Sequence, residues 1–507
     1  MRQLLPKAKL RIVNLVDFLY FHNDWISLKE IAVHFECSTR TIKNDLATIR
    51  EQNPEIQSEA SPHGIRLRMA ENLGIETFYR NVFKNLEIYE LLEYLINNGE
   101  VKSEQVANHL FVSVPTLYRM INHYNPLLKK YYQISISTNP FSLTGRENHL
   151  RYIISQYYTE SYSSCDWPFP SVDEDIIENL IIILCHHFNI ELSFPQLRAL
   201  KLTTTVNFLR TKQNRFDYSD YNSSKADHYY HSLSNDCNFA AFKKIFFNQF
   251  NLNLTQKTLT QLFHCYITDE YYLEYKDWLK DIPKNSKSKL SHKVLTHTID
   301  TISSKFNLHI NHRNKLLLNL HNAVHSFGKE TRTMFLMSNR KKQFCSYIQK
   351  NYPLFYQESF NHIKKYCSKM GNSNDVVIHH LMYLFIVHWP NLITQIENNR
   401  NKLETLIVSD FDQAHAYFLK NIIDYNFKNV LNTTVCSYLN LDKLDSNFHH
   451  IDLIISNFAL PKKFTESQIC VDCVPTKDDL QLLTRLIEKL MIEPIRVHEI
   501  KGPAKVL

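Results

Sequence analysis

A two-helix pattern near the start of the chain returns 75 residues later, and this repeat restricts the fold more than any other feature. In the first copy, Ser27 and Glu30 are placed to cap a short helix whose apolar residues share one face. After a brief turn, a second helix begins at Ser38 or Thr39, with apolar residues facing the first helix. The pair predicts a helix-turn-helix.

The second copy occupies VKSEQVANHLFVSVPTLYRMINHY (101–124), where Val106 and Ala107 replace Ile31 and Ala32. A predicted β-hairpin follows each copy, first around SPHG and then in ISISTNPFSLTG. We therefore predict two winged helix-turn-helix units, in which the hairpin is the wing. Because two tandem copies with one spacing arise by chance far less often than one, the repeat indicates binding of double-stranded DNA.

The outward face of the second helix in each copy, which we call the recognition helix, carries side chains that can bond phosphates or base edges. The candidate contacts of the first copy are Ser38, Thr39, Arg40, Thr41, Lys43, Asn44 and Arg50, with His63, Arg66 and Arg68 on or beside the wing. Those of the second copy are Thr116, Tyr118, Arg119 and Asn122. Because this second set carries little charge, a helix pair that only positions the first copy is the alternative.

Composition restricts the class of protein. Only 7 glycines among 507 residues favour helices joined by short connections, so the chain should be mostly α. Its apolar runs fall short of the roughly 20 residues of a membrane span, and no secretory signal pattern opens the chain. We therefore expect a cytoplasmic protein with no membrane partner. The 10 cysteines show no paired framework and indicate reduced thiols, and a net charge of +7 permits nucleic-acid binding.

Three segments carry a resemblance to a known family. The chain contains, in this order, IVNLVDFLYFHNDWISLKEIAVHFECSTRTIKNDL, then LTGRENHLRYII, then DWPFP. These segments resemble the Mga and anthrax-toxin-activator (Mga/AtxA-type) group of transcriptional regulators, and the likeness runs through most of the chain. The resemblance implies two DNA-binding domains, two phosphotransferase-system regulation domains (PRDs), and a C-terminal domain similar to a sugar-transporter IIB component.

The expected fold class is mainly α and multidomain, with tandem winged helix-turn-helix domains, two all-helical PRD-like modules and a small α/β domain with a parallel sheet. Helical periodicity dominates the middle of the chain, and from residue 403 four short apolar segments alternate with helices. The predicted domains are a winged helix-turn-helix domain at 1–70, a second helix-turn-helix domain at 71–165, PRD-like domains at 166–284 and 285–399, and a IIB-like domain at 400–507.

The PRD resemblance implies phosphorylation of histidine by the phosphocarrier protein of the sugar phosphotransferase system. His321, in LNLHNAVHSF, matches the family segment best, whereas Thr205, Cys265 and Leu384 stand where the family has other histidines. A histidine satisfied locally on a helix surface or in a core is the alternative for His321. His325 completes the spacing of paired zinc ligands, but no third ligand is evident, so we predict no metal site.

The predicted IIB-like domain lacks the chemistry of a phosphotransfer enzyme. Such an enzyme needs a nucleophile, often Cys, in the loop after the first strand, and SDFDQAH (409–415) contains neither Cys nor Gly. Cys470 and Cys473 form a CxxC inside a predicted strand without a second pair, which argues against metal or redox use. We expect this domain to serve self-association or contact with a partner.

Together, the repeat and the resemblance predict a non-enzymatic regulator that binds promoter DNA and activates virulence or surface genes. We expect no cofactor, a homodimer formed through the C-terminal half, and tuning by dimerisation and histidine phosphorylation. A phosphoryl-relay carrier or enzyme is the first alternative, and the missing Cys argues against it. An RNA-binding antiterminator is the second, but such proteins begin with a β-rich RNA module and this chain begins with helix-turn-helix units.

Overall fold

The computed structural model describes most of the chain, namely residues 1–22, 24–217, 223–326, 335–399, 402–436, 451–460 and 468–492. It divides into two compact units, which are Met1–Asp300 with His312–His388, and Thr301–Asn311 with Trp389–Leu507. Among the described residues, no single helix is long and apolar enough to cross a membrane, and only the helices Asp375–Val387 and Leu392–Asn398 reach the required length and hydropathy when taken together.

The first winged helix-turn-helix unit follows a short 3₁₀ turn at Arg2–Leu4. Its elements are α1 (Lys7–His22), α2 (Leu28–His34), α3 (Thr39–Gln52), β1 (Ile56–Ser61) and β2 (Gly64–Met69). The predicted capping box is present, because the Ser27 hydroxyl accepts from the Glu30 amide and the Glu30 carboxylate accepts from the Ser27 amide. Ala32 is buried where α2 approaches α3, as the motif requires.

The second winged helix-turn-helix unit repeats this order after one connecting helix. It contains α4 (Glu76–Lys84), α5 (Glu87–Asn98), α6 (Ser103–His109), α7 (Val114–Tyr132), β3 (Ile134–Thr138), β4 (Phe141–Gly145) and α8 (Glu147–Ser161). Both hairpins are antiparallel. A single residue pairs with each hairpin as a third strand, Ile26 with Ile65 in the first unit and Val101 with Phe141 in the second. The two winged helix-turn-helix units therefore share one backbone plan.

Among the described residues in the middle of the chain, every regular element is a helix. The first helical block contains α9 (Glu174–His187), α10 (Phe194–Lys212), α11 (Ser223–Ser234), α12 (Cys237–Phe250), α13 (Gln256–Phe263) and α14 (Tyr275–Asp281). The second contains α15 (Ser286–Lys305), α16 (Arg313–Ser326), α17 (Arg340–Asn351), α18 (Pro353–Lys369) and α19 (Asp375–Val387). Phe208, Phe239 and Phe246 are buried in the core of the first block.

A buried ionic network joins α8 to the first helical block. Arg151, on α8, is 1% exposed and donates to the main-chain oxygens of Arg215 and Gln261 over 2.7 and 2.9 Å. Glu147 accepts from Arg151 Nε over 2.9 Å and from Arg210 Nη2 over 2.7 Å. Because a buried charge is stable only when it is paired and fully hydrogen-bonded, this network fixes α8 against α10 and α13.

The smaller unit contains α20 (Leu392–Asn398) and a four-stranded parallel sheet. Its strands are β5 (Leu403–Val408), β6 (Leu431–Val435), β7 (Leu453–Ser456) and β8 (Gln468–Cys470), in the order β6-β5-β7-β8. Two helices accompany the strands, α21 (Gln413–Phe427) and α22 (Lys477–Ile492), and they contribute Leu419, Ile423 and Leu483 to a core on one face of the sheet.

The predicted fold class is confirmed, with two local corrections. The sequence predicts residues 56–58 as the first strand of the hairpin after the first recognition helix, whereas β1 continues to Ser61. The placement of both CxxC cysteines inside a strand is wrong, because β8 ends at Cys470 and Cys473 lies beyond it. The strand is only three residues long, so the second cysteine falls in the following connection.

Candidate nucleic-acid interface

The first recognition helix, α3, presents a polar face to solvent. Ile42, Leu46 and Ile49 are buried against the rest of the unit, while the side chains on the opposite face are exposed. The exposed predicted contacts are Ser38, Thr39, Arg40, Lys43, Asn44 and Arg50. A face of this composition can donate to phosphate oxygens and to acceptors on base edges.

Two predicted contacts also hold the start of this helix. The Ser38 hydroxyl accepts from the Thr41 amide over 3.1 Å and lies 2.9 Å from the Thr41 hydroxyl. This N-cap satisfies an amide that the first turn leaves without a helical partner. Ser38 and Thr41 therefore fix the end of α3 that a recognition helix points towards the bases.

The buried side of α3 is anchored by an ion pair that the sequence did not reveal. Arg11, on α1, donates from Nε and Nη2 to the two carboxylate oxygens of Asp45 over 2.6 and 2.9 Å. Asp45 is buried, and its hydrogen bond raises the pKa of Arg11. Two parallel charge-assisted hydrogen bonds set direction as well as distance, so this pair orients the recognition helix on α1.

The wing of the first unit holds one basic residue by an ion pair and leaves two basic side chains exposed. Arg66 donates to Glu59 Oε2 on the neighbouring strand and lies 4.7 Å from the centre of the Trp25 ring. His63 and Arg68 are exposed. Since Glu59 already neutralises Arg66, Arg68 is the exposed arginine of the wing that can contact a phosphate, and His63 is also exposed.

The wing and the recognition helix are also joined directly. Arg50, in the last turn of α3, donates from Nε to the hydroxyl of Ser58 on β1.

Gly64 lies at the start of β2 with φ of 136°, and a Cβ there would be 2.3 Å from the carbonyl oxygen of Ile26. Only glycine fits this approach, so it lets the third strand pair with the wing.

The second recognition helix, α7, repeats the cap but differs in chemistry. The Ser113 hydroxyl accepts from the Thr116 amide over 3.3 Å, and the Thr116 hydroxyl accepts from Arg119 Nη2 over 3.1 Å. Tyr118 and Asn122 are exposed on the same helix. The fold thus brings the four predicted contacts of this unit onto one helix that carries a single cation among them.

The turn of each helix-turn-helix holds a residue that sequence reasoning missed. Glu36 and Phe111 occupy equivalent positions and both have a positive φ, of 49° and 54°. Phe111 is 95% exposed. A large apolar side chain exposed to solvent beside the start of a recognition helix is a candidate contact to DNA. The sequence pattern of the turn did not indicate that this side chain would be exposed.

Three family models match successive parts of the chain. A helix-turn-helix domain matches residues 11–66, the Mga helix-turn-helix domain matches residues 71–158, and the M protein trans-acting positive regulator (MGA) PRD domain matches residues 173–392. The chain belongs to the Mga family of regulators. This Mga-type protein is a DNA-binding transcriptional regulator.

Full-length relatives support the same assignment. A putative trans-acting regulator of Streptococcus pneumoniae serotype 4 is 27% identical over 465 residues, which cover 91% of this chain and 94% of the relative. The anthrax toxin expression trans-acting positive regulator of Bacillus anthracis is 21% identical over 504 residues, covering 95% and 99%. A capsule synthesis positive regulator, AcpA, of the same organism is 19% identical over 469 residues, covering 90% and 94%.

The histidine predicted as a phosphorylation site of this Mga-type regulator lies in a buried cluster. His321 is 0% exposed, its Nδ1 lies 2.8 Å from the Ser291 hydroxyl, and its ring stacks on Trp278 with the centres 4.2 Å apart. Burial, with the nearby His325, holds the pKa of His321 well below its usual range. The neutral ring is the nucleophilic form, but Trp278 covers one of its faces.

The remaining candidate chemistry is also located. The Ser409 hydroxyl in the loop after β5 lies 2.8 Å from His415 Nδ1, and His415 Nε2 lies 2.8 Å from the carbonyl oxygen of Cys473. Cys470 and Cys473 are both exposed free thiols. Within the described ranges, no group of three or more His, Cys, Asp or Glu side chains is arranged to hold a metal ion.

Proposed function

We propose that this Mga-type regulator activates transcription by placing α3 in the major groove of promoter DNA, with the first wing on the adjacent backbone. The observation that carries the proposal is the exposed polar face of α3 opposite an anchored, buried face. In this arrangement Arg40, Lys43 and Asn44 approach base edges, and Arg68 approaches a phosphate.

The distribution of charge indicates that the first helix-turn-helix unit contributes more to DNA affinity than the second. In the described part of the chain, no ion pair engages Arg40 or Lys43, so both cations can release counterions from DNA. The second recognition helix offers Arg119 with polar and aromatic neighbours. We propose that the second unit adds contacts through Thr116, Tyr118, Arg119 and Asn122, and that it responds more to DNA shape than to charge.

Activation is the direction of control that the relatives support. The matched PRD model and two Bacillus anthracis relatives are named as positive regulators, of toxin expression in one case and of capsule synthesis in the other. We extend this to the present chain as a cytoplasmic, non-enzymatic activator of virulence or surface genes that uses no cofactor. We further propose that this activator consists of five domains, with boundaries after residues 70, 165, 284 and 399.

We propose a homodimer formed through the C-terminal half. Exposed aromatic side chains on α21 support it, because Phe418 and Tyr425 lie seven residues apart on one helical face and are 45% and 91% exposed. Replacing both by Ser should shift the sedimentation coefficient of the whole protein from dimer to monomer. An unchanged dimer would place the interface elsewhere.

We also propose that the phosphocarrier protein phosphorylates His321, which requires that this buried side chain first becomes accessible. Because the His321 side chain is fully buried, the helices around it must move before a phosphoryl group can reach a ring nitrogen. Incubation with the carrier, its kinase and labelled phosphoenolpyruvate should label the protein, and His321→Gln should remove the label. Equal labelling of the variant would exclude His321 as the acceptor, and onward transfer to sugar would favour the relay alternative.

The decisive experiment is gel-shift binding of the whole protein to promoter fragments across a salt series. The variant Arg40→Ala/Lys43→Ala should lose selectivity and reduce the salt slope by about 2. The matched control is Lys364→Ala/Lys365→Ala, which removes the same charge from exposed positions on α18. Equal binding by both variants would overturn α3 as the recognition element.

A further inference from the structure

A cavity of about 390 Å³ lies within the larger unit, among the helices of the first block and one helix of the second. It is lined by residues of α9, α10, α11 and α13, by the connection 188–192, by the segment 266–273, and by α16. The lining residues include Leu184, Leu200, Tyr229, Leu259, Phe263 and Tyr266. This volume is within the usual range of small-molecule sites and well above the roughly 150 Å³ that holds benzene.

The chemistry of the lining restricts the ligand. None of the described residues that line the cavity carries a formal charge at neutral pH, and the polar groups are carboxamides and hydroxyls such as those of Gln196, Gln256 and Thr260. Burial raises the pKa of the Cys185 thiol, which keeps it neutral as well. A charged ligand would lose its hydration without gaining a partner, whereas a neutral one loses little.

One wall of the cavity is tied to the His321 helix. Asn322, the next residue of α16, accepts from the Tyr272 amide over 3.1 Å and donates to the Tyr272 carbonyl over 2.7 Å. Both residues line the cavity. The carboxamide of Asn322 thus satisfies both main-chain groups of Tyr272, as a neighbouring peptide group would in a sheet. A movement of this wall therefore displaces α16 as well.

The same wall is held from the first block. Lys225, on α11, donates to the carbonyl oxygens of Thr268, Asp269 and Tyr271 over 2.8, 2.9 and 3.0 Å, and lies 4.4 Å from the centre of the Tyr272 ring. The segment 268–273 is therefore pinned by α11 on one side and by α16 on the other. A ligand in contact with this segment therefore touches residues through which α11 of the first block contacts α16 of the second.

We propose that this cavity binds a neutral, largely apolar small molecule of roughly 10 to 17 non-hydrogen atoms, and that its occupancy acts on the segment 268–273 and on α16. The ligand class follows from the uncharged lining and the volume. Such a site would let an apolar metabolite or signal molecule alter the regulator without any contact at the DNA interface.

Binding is tested on the whole protein with N-phenyl-1-naphthylamine, a neutral dye that fluoresces in apolar sites. Ala199 lies at the exposed rim of the lining, so Ala199→Trp should fill the cavity and raise the dissociation constant at least tenfold. The matched control is Ala241→Trp, at an exposed position on α12 that is not part of the lining. Circular dichroism checks both folds, and Cys185→Phe replaces Ala199→Trp if that variant does not fold.

Saturable binding that is lost only in the filled variant would support the site. Equal binding by all three proteins, or no saturable binding, would overturn it. Competition defines the ligand class, since 1-decanol should displace the dye at concentrations at least tenfold lower than decanoate. Equal displacement by the two would overturn the requirement for a neutral ligand.

Hydrogen exchange tests the coupling. Bound 1-decanol should slow amide exchange in 268–273 and in α16 and leave α3 unchanged. If the dye and the alcohol bind but exchange in 268–273 does not change, the coupling is wrong while the site stands. These measurements use no DNA, so their outcome is independent of the proposed activator function.

Discussion

Arg11 and Asp45 form a two-point ion pair, with Arg11 Nε and Nη2 donating to both carboxylate oxygens over 2.6 and 2.9 Å. The pair spans α1 and the recognition helix α3. A single hydrogen bond would leave α3 free to rotate about the contact, whereas two parallel bonds in one plane do not. The orientation of the exposed polar face of α3 therefore depends on two residues that lie away from that face.

The variant Asp45→Asn should lower stability and DNA affinity together. It removes the negative charge and one acceptor from a buried position, which we expect to cost about 1–3 kcal/mol in the free energy of unfolding. Chemical denaturation and gel-shift titration measure the two effects. The control Glu51→Gln removes a charge from an exposed position on the same helix, and an equal loss in both variants would show that net charge alone is responsible.

The two arginines on β2 should differ in their effect on DNA binding. Arg66 is neutralised by Glu59, whereas Arg68 is exposed. Arg68→Ala should therefore reduce the salt slope of binding by about 1, and Arg66→Ala should reduce it less. Gel shifts at four salt concentrations distinguish them. A larger slope change for Arg66→Ala would mean that Arg66 leaves Glu59 to contact a phosphate.

Gly64→Ala should destabilise the first winged helix-turn-helix unit by more than the cost of holding an alanine at positive φ. A Cβ at this position would be 2.3 Å from the Ile26 carbonyl oxygen, so the third strand must separate from the wing. Gly371→Ala is the control, because Gly371 also has a positive φ, of 77°, but a Cβ there meets no atom within 4 Å. The control should cost about 1 kcal/mol and Gly64→Ala clearly more, as measured by denaturant unfolding. Equal costs would exclude the clash.

Arg151→Met should be among the most destabilising single changes in the chain. It leaves the carbonyl oxygens of Arg215 and Gln261 without this donor inside the protein. We expect a loss of about 3 kcal/mol or more and a separation of the calorimetric transition into two, because the network joins α8 to the first helical block. Lys276→Met, at an exposed ion pair, should leave the transition unchanged. A single transition at the original temperature for Arg151→Met would refute the network's role.

Stability should fall as the pH decreases from about 6.5 to about 4. Burial lowers the pKa of His325 to about 4, while Glu270 opposes and Lys287 adds to this effect. The unfolded chain, with an ordinary histidine pKa near 6.5, takes up a proton first, so the contribution of His325 is complete above about pH 6.5 and is lost as the pH falls towards 4. Melting temperatures across this window should fall less steeply for His325→Gln. Parallel curves would contradict the assignment.

The fold was predictable where local periodicity carries it. Apolar residues three and four apart gave both helix pairs, and the change to short apolar runs after residue 403 gave the parallel sheet. The pairing of Ile26 with Ile65 was not predictable, because two single residues 39 positions apart leave no periodic pattern. The order β6-β5-β7-β8 likewise depends on contacts between distant segments.

The candidate site was predictable in its exposed face and less so in its support. Lys43 and Asn44 follow directly from the helical period of Ile42 and Leu46. Asp45 lies within the same run as an ordinary charged residue, and only the fold shows that it is buried opposite Arg11. The burial of His321 beneath Trp278 was equally hidden, since α14 and α16 are separated in sequence and meet only in the folded unit.

The shared backbone plan of the two helix-turn-helix units has a consequence for avidity. Both units belong to one polypeptide, so in the proposed DNA complex the binding of one unit holds the other near the same molecule at an effective concentration on the order of millimolar. A second unit with weak contacts then raises the total affinity far beyond what it would achieve alone. Promoter fragments shortened to one half of the site should lose this gain abruptly, because the tether contributes only while both units can reach the duplex.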